Sequence, residues 1–140
     1  ACGFTLLKEK VNELKLFLNE KTKDIEINNN KYYESLIDLN VVNEKLIKDL
    51  DLLSPFGQQN SEPIFKCSDL KISILKVFKE KHAKLAFSDN LGSSCEGMLF
   101  DTNISELNNY LSNKSHFDCY FKVKKDSYSN KTVIHLEDIH

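Results

Sequence analysis

The spacing of apolar residues changes period once along this chain. The change falls at Leu53-Ser54-Pro55-Phe56-Gly57-Gln58-Gln59-Asn60-Ser61-Glu62-Pro63-Ile64-Phe65, a stretch holding both prolines and one of the four glycines. Upstream the period is helical. Leu7, Val11, Leu14, Phe17 and Leu18 predict an amphipathic helix over residues 6–22, and Val42, Leu46, Ile47, Leu50 and Leu53 predict a second. Between them, residues 25–30 are polar and Asn-rich, and residues 31–38 read as a short strand. Pro55 stops the second helix, because the residue before a proline is pushed out of the helical region and the ring supplies no donor. Gly57 permits a positive φ, Asn60 tolerates one, and Pro63 forces Glu62 to be extended, so the connector is expected to be stiff.

Downstream the period is that of strands. Ile72, Ile74, Val77 and Phe78 predict one long strand with a bulge near Leu75, where the alternation slips by one residue. Leu85 and Phe87 mark a second strand, Met98 and Phe100 a third, and Ile104, Leu107 and Leu111 a short helix. Phe117, Cys119, Phe121 and Val123 alternate in a fourth strand, and Ile134 and Leu136 lie in a fifth. The expected class is α+β. A helical segment (1–53) and a Pro/Gly connector (54–64) precede a five-stranded barrel of the OB-fold type over residues 65–140, with a helix between strands 3 and 4.

A chain of 140 residues, 41% hydrophobic and 29% charged, has enough apolar material for a packed core, which argues against disorder. The net charge of −2 hides an asymmetry: residues 1–64 carry 8 lysines against 11 acids, residues 65–140 carry 11 against 10. Affinity for phosphate is therefore expected in the second half, from local arrangement. All 19 cations are lysines, which removes the planar guanidinium fork and argues against sequence-specific DNA recognition. Cys2, Cys67, Cys95 and Cys119 stand far apart with no CxxC pair and read as reduced thiols. No run has the length of a transmembrane helix and none resembles a signal peptide, so a soluble cytoplasmic protein with no membrane partner is expected. The opening Ala1-Cys2-Gly3-Phe4-Thr5-Leu6 lacks an initiating Met and reads as the start of an excised piece.

The connector resembles the PFGxGNPEPxF signature of the RecJ family of single-strand-specific 5′→3′ DNA exonucleases, matched at Pro55, Phe56, Gly57, Asn60, Glu62, Pro63 and Phe65. Gln59 and Ser61 depart from it. The opening is similar to the end of the family's GGHAAAAGFTL-type motif, at Ala1, Gly3, Phe4, Thr5 and Leu6, with Cys2 in place of an alanine. The resemblance implies the end of a DHH-associated domain over residues 1–53, joined by the connector to an OB domain. It implies a parent enzyme that hydrolyses single-stranded DNA with manganese or magnesium in recombination and repair. The aspartate and histidine motifs that hold the metal in that family are absent from this sequence. The piece is therefore expected to hold no catalytic residues and no metal, and to be inactive alone.

A barrel that binds single strands needs cations for phosphate and aromatic faces for bases. On the fourth strand, Tyr120, Lys122 and Lys124 fall opposite the apolar face, with Asp118 on their side; Lys76, Lys79, Lys81 and Lys84 flank the first hairpin. His82, beside three lysines in the turn from Lys79, is a candidate phosphate contact when protonated, or else an exposed loop residue. The alternative for the whole set is a solvated outer face. A second functional reading makes the barrel a docking module whose lysines meet the acidic tail of a partner such as a single-strand-binding protein. Lysines gathered in one groove with Tyr120 favour nucleic acid; scattered lysines favour the other readings. His116, His135 and His140 have no ligand spacing, Cys95 has no histidine to activate it, and no Walker, GxGxxG or GxSxG motif occurs.

Overall fold

The computed structural model describes residues 5–22, 32–127 and 129–140. Packing divides the chain into two compact units, residues 1–31 and residues 32–140. In the first, a 3₁₀ turn at Lys8–Lys10 precedes helix α1 (Val11–Thr22), which buries none of its side chains. Gly3 and the Asn-rich run at 25–30 lie outside the described residues; Thr5 is exposed.

The second unit begins with a two-residue strand, β1 (Ser35–Leu36), running parallel to the start of β2 (Phe65–Phe78). Glu34 clamps this junction: its N–H donates to the Ile64 carbonyl at 2.8 Å and its carboxylate accepts from the Ile64 N–H at 2.6 Å. Ile37 N–H adds a bond to the Lys66 carbonyl at 2.9 Å. These bonds tie the chain around Glu34 to the start of β2, within the unit that begins at residue 32.

Helix α2 (Glu44–Asp51) is shorter than its apolar pattern predicts. Asn43 is the reason: its side-chain oxygen accepts from the N–H groups of Lys45 (2.9 Å) and Leu46 (3.3 Å), capping two donors that a helix start leaves unpaired. Val42 precedes the cap in a non-helical conformation and is buried. Leu46, Ile47 and Leu50 turn toward the core. After the helix the connector folds back on itself. Gly57 and Asn60 exchange backbone hydrogen bonds, and the Asn60 amide donates to the carbonyls of Leu53 (2.8 Å) and Pro55 (3.0 Å). The Ser54–Pro55 bond is cis, and Phe56 is half-buried.

The barrel comprises β2, β3 (His82–Ser88), β4 (Ser94–Leu99), β5 (Phe117–Lys125) and β6 (Thr132–Ile139), with α3 (Ile104–Asn113) between β4 and β5. The strands run in the order β2-β3-β4-β6-β5, and β5 returns to β2, which closes the sheet. All pairings in the ring are antiparallel except β4 with β6. This is the OB fold, a closed five-stranded barrel with its helix where the apolar periods placed it.

β2 serves two neighbours. Its first half pairs with β5 and its second with β3, and the register slips between Cys67 and Leu70, where Asp69 takes a φ of 60°. A second slip lies between Ile74 and Lys76, the bulge expected near Leu75. It inverts the faces: Ile74 lies opposite the buried Leu85, whereas Lys76 lies opposite Lys84 and Phe78 opposite His82, both on the outer face. Inside, Leu70, Leu85, Phe87, Phe117, Cys119, Phe121 and Ile134 are fully buried. On β4, Gly97 and Leu99 point inward, and Met98 and Phe100, which mark the strand in the sequence, belong to the outer side.

Asn103 caps α3, accepting from the N–H groups of Ser105 (3.0 Å) and Glu106 (3.4 Å) while donating to the Glu106 carboxylate (2.9 Å). Leu107 is buried, with Ile104 and Leu111 packed beside it. No helix among the described residues is long and apolar enough to cross a membrane.

Candidate nucleic-acid interface

The outer faces of β3, β4 and β6 form the floor of a groove of about 500 Å³, flanked by Phe78 at the end of β2 and by residues 125–127 after β5. Register links the floor into a continuous row: Lys76 on β2 faces Lys84 on β3, Lys84 faces Met98, Met98 faces His135, and His135 faces Lys122 on β5. Three of the lysines chosen from sequence therefore share one belt around the barrel.

Aromatic rings concentrate at one end of the groove. Phe100 lies edge-to-face between His82 (centroids 5.5 Å apart) and His135 (5.2 Å), and Phe78 pairs with His82 across the hairpin. Phe78 and Phe100 are exposed. Backbone bonds fix this arrangement: Thr102 N–H donates to the Lys81 carbonyl at 2.8 Å and Asp101 N–H donates to His82 Nδ1 at 3.1 Å. His82 thus opens β3, half-buried, with Nδ1 accepting from the Asp101 N–H. Burial lowers the pKa of His135, with the positive charge of Lys124 adding to it. A neutral imidazole at that position stacks on neighbouring rings and adds no charge for phosphate.

The lysines are largely committed to carboxylates. Lys84 pairs with Glu96 at 2.8 Å, Lys122 with Glu137 at 2.9 Å, and Lys124 with Glu62 of the connector. Lys76 extends over the Phe78 ring, 5.0 Å from its centroid. Lys79 and Lys81 sit in the turn at the groove's rim, where Lys79 and Glu80 take φ values of 48° and 57°. Tyr120 belongs elsewhere. It packs edge-to-face on Tyr33 (5.8 Å) and His140 (5.5 Å), under the Lys66 ammonium, which itself pairs with Asp118 at 2.7 Å. That ion pair raises the pKa of Lys66 and lowers that of Asp118.

The sequence-chosen set is thus divided. Lys84 and His82 stand at the groove, Lys76 and Lys122 extend its row, Lys79 and Lys81 edge it, and Lys124 and Tyr120 are engaged away from its centre. Phe78, Met98, Phe100, Lys125 and His135 line the groove and were not singled out as ligands from sequence. The signal for Phe78 was present, since the predicted bulge sends it outward.

Among the described residues of the barrel the cysteine thiols are wholly or partly buried and not activated. Burial pushes the thiol of Cys67 up to about 11 and that of Cys95 up to about 12, and raises Cys119 further; all three are free and protonated at neutral pH. Among the described residues no three of His, Cys, Asp and Glu converge as metal ligands. A family model described as "RecJ OB domain" matches residues 33–138. No curated protein matches the chain.

Proposed function

The chain belongs to the RecJ OB domain family, and from that premise we propose that it is the strand-gripping C-terminal region of a RecJ-like, single-strand-specific 5′→3′ DNA exonuclease acting in recombination and repair. The observation that carries this reading is the ring row of Phe78, His82, Phe100 and His135, with Phe78 and Phe100 exposed, beside a groove on the barrel's outer face. The strand-2 and strand-3 face of an OB barrel, with its adjoining loops, is where oligonucleotides lie in this fold. Aromatic faces select unpaired strands, because the bases of a duplex are stacked on each other and cannot reach a ring on a protein surface.

In this reading residues 1–53 contain the end of a DHH-associated domain, and the parent's metal-assisted phosphodiester hydrolysis takes place in residues outside this chain. The barrel contributes binding and strand selectivity. Lys84 and Lys125 meet backbone phosphates, Phe78 and Phe100 meet bases, and Met98 and His135 form the floor between them. Titrating a labelled single-stranded oligonucleotide into the chain tests it. Phe100→Ala is expected to weaken binding by about 1–3 kcal/mol, the worth of one base–ring stack, with duplex binding far weaker throughout. Equal affinity of the variant and the parent chain would remove the groove from the function.

The pairing of Lys84, Lys122 and Lys124 with carboxylates favours a second reading. Here the unpaired turn lysines Lys79 and Lys81 dock the acidic tail of a single-strand-binding protein. Binding of an acidic peptide that survives Phe100→Ala but not Lys79→Glu with Lys81→Glu supports that alternative.

A further inference from the structure

Resting on the reading of the groove as a single-strand site, we propose that Glu96 is a built-in competitor for the phosphate that Lys84 would bind. The strand is then gripped by ion-pair exchange and held weakly enough to move. Glu96 and Lys84 line the same groove with Nζ and Oε2 2.8 Å apart. Ala86 is the register partner of Glu96 on β3, too short to cover the carboxylate. The pair is part-exposed, with side chains at 36% and 46%, so little free energy holds it closed. Among the charged residues lining the groove, Lys84 and Lys125 are matched by Glu96 and Asp126. The four charged side chains that line the groove therefore offer a polyanion no net positive charge.

This has a consequence for salt dependence. When a lysine neutralises a phosphate, the nucleic acid releases a condensed cation, and that release makes binding salt-sensitive. If Lys84 must leave Glu96 to do so, the freed carboxylate takes a cation back. Net release at that contact falls toward zero, and affinity is lowered by the repulsion between carboxylate and phosphate a few ångströms apart. The outer rings would then supply most of the grip, and the strand would advance by exchanging stacked bases and phosphates against a compensated surface. Lys122 with Glu137 and Lys124 with Glu62 repeat the device on β5.

The test is the affinity of the 140-residue chain for a labelled oligothymidylate across a potassium chloride series, in parent, Glu96→Gln, Lys84→Gln and double variants. Glu96→Gln is expected to bind about three- to tenfold tighter at low salt, with the slope of log affinity against log salt steeper by about 0.7. The double variant should lose that gain. Thermal midpoints within a few degrees of the parent establish that each variant folds. Unchanged affinity of Glu96→Gln overturns the proposal, and weaker binding overturns it by making Glu96 a direct ligand of the strand. A gain that survives in the double variant overturns the exchange at Lys84. In each of these results the parent still binds and the groove's function stands; absence of binding by every form would sink both.

Discussion

A Cβ at Gly97 would lie 2.5 Å from the Ile134 carbonyl oxygen and 2.8 Å from the Phe87 ring, inside the seam where β4 meets β6. The first contact is with backbone, which cannot retreat without parting the only parallel pairing of the ring. Gly97→Ala is therefore expected to cost about 1–3 kcal/mol, read as a lower urea midpoint at unchanged slope. An unaltered midpoint would mean that the seam gives way freely. The opposite sign is expected at Glu80, whose φ of 57° follows the 48° of Lys79 in the β2–β3 turn. A left-handed conformation costs a non-glycine residue about 1–2 kcal/mol, whereas glycine's extra unfolded freedom costs about 0.4–1 kcal/mol. The first outweighs the second, so Glu80→Gly should stabilise by about 0.5–1 kcal/mol, and a loss of stability would show that the Glu80 side chain contributes something the geometry does not reveal.

Elements were legible where side chains carry the period and illegible where they do not. The alternation of Phe117, Cys119, Phe121 and Val123 gave β5 its inner face correctly, and the slip at Leu75 gave the bulge. β4 could be located from Met98 and Phe100 but not faced, because its inward residue at the seam is Gly97, which has no side chain to register in an apolar pattern. The start of α2 was misjudged because a polar residue, Asn43, sets it. The lysines could be assigned to the outer face, but their partners on the barrel, Glu96, Glu137 and Glu62, come from other strands or from the connector, a relation that only register reveals. The connector itself depends on one side chain. Asn60→Ala removes two hydrogen bonds to the carbonyls of Leu53 and Pro55. Both are exposed to water, so the expected loss is about 1–2 kcal/mol and not the larger cost of a buried pair. Urea unfolding measures it; a loss below about 0.3 kcal/mol would show that the turn holds its shape without the amide.

At the scale of the whole molecule, groups with lowered pKa values act in two separate pH windows, His135 in one and the carboxylates Asp118 and Asp89 in the other. His135 is held below the usual imidazole range by burial, so the unfolded chain takes up its proton first as pH falls. Stability is thus complete above about 6.5 and declines from there until the folded form protonates as well. Asp118 is held below the usual carboxylate range first by its hydrogen bond from Lys66, so its contribution is intact at pH 5 and is lost as pH falls through the folded value, below about 3.8. Stability followed by urea midpoints from pH 8 to pH 3 should therefore fall in two steps. His135→Gln removes the first and leaves the second, whereas Asp118→Asn leaves the first and shrinks the second, to which Asp89, held low against its desolvation by hydrogen bonds from Ser93 and Leu91, also contributes. The Asp118 step should also shrink in high salt, because its carboxylate is 37% exposed and its attraction to Lys66 is partly screened, whereas the desolvation at His135 is not. A first step that persists in His135→Gln would assign the neutral-pH titration to a different group and remove the premise that His135 is uncharged when a strand arrives.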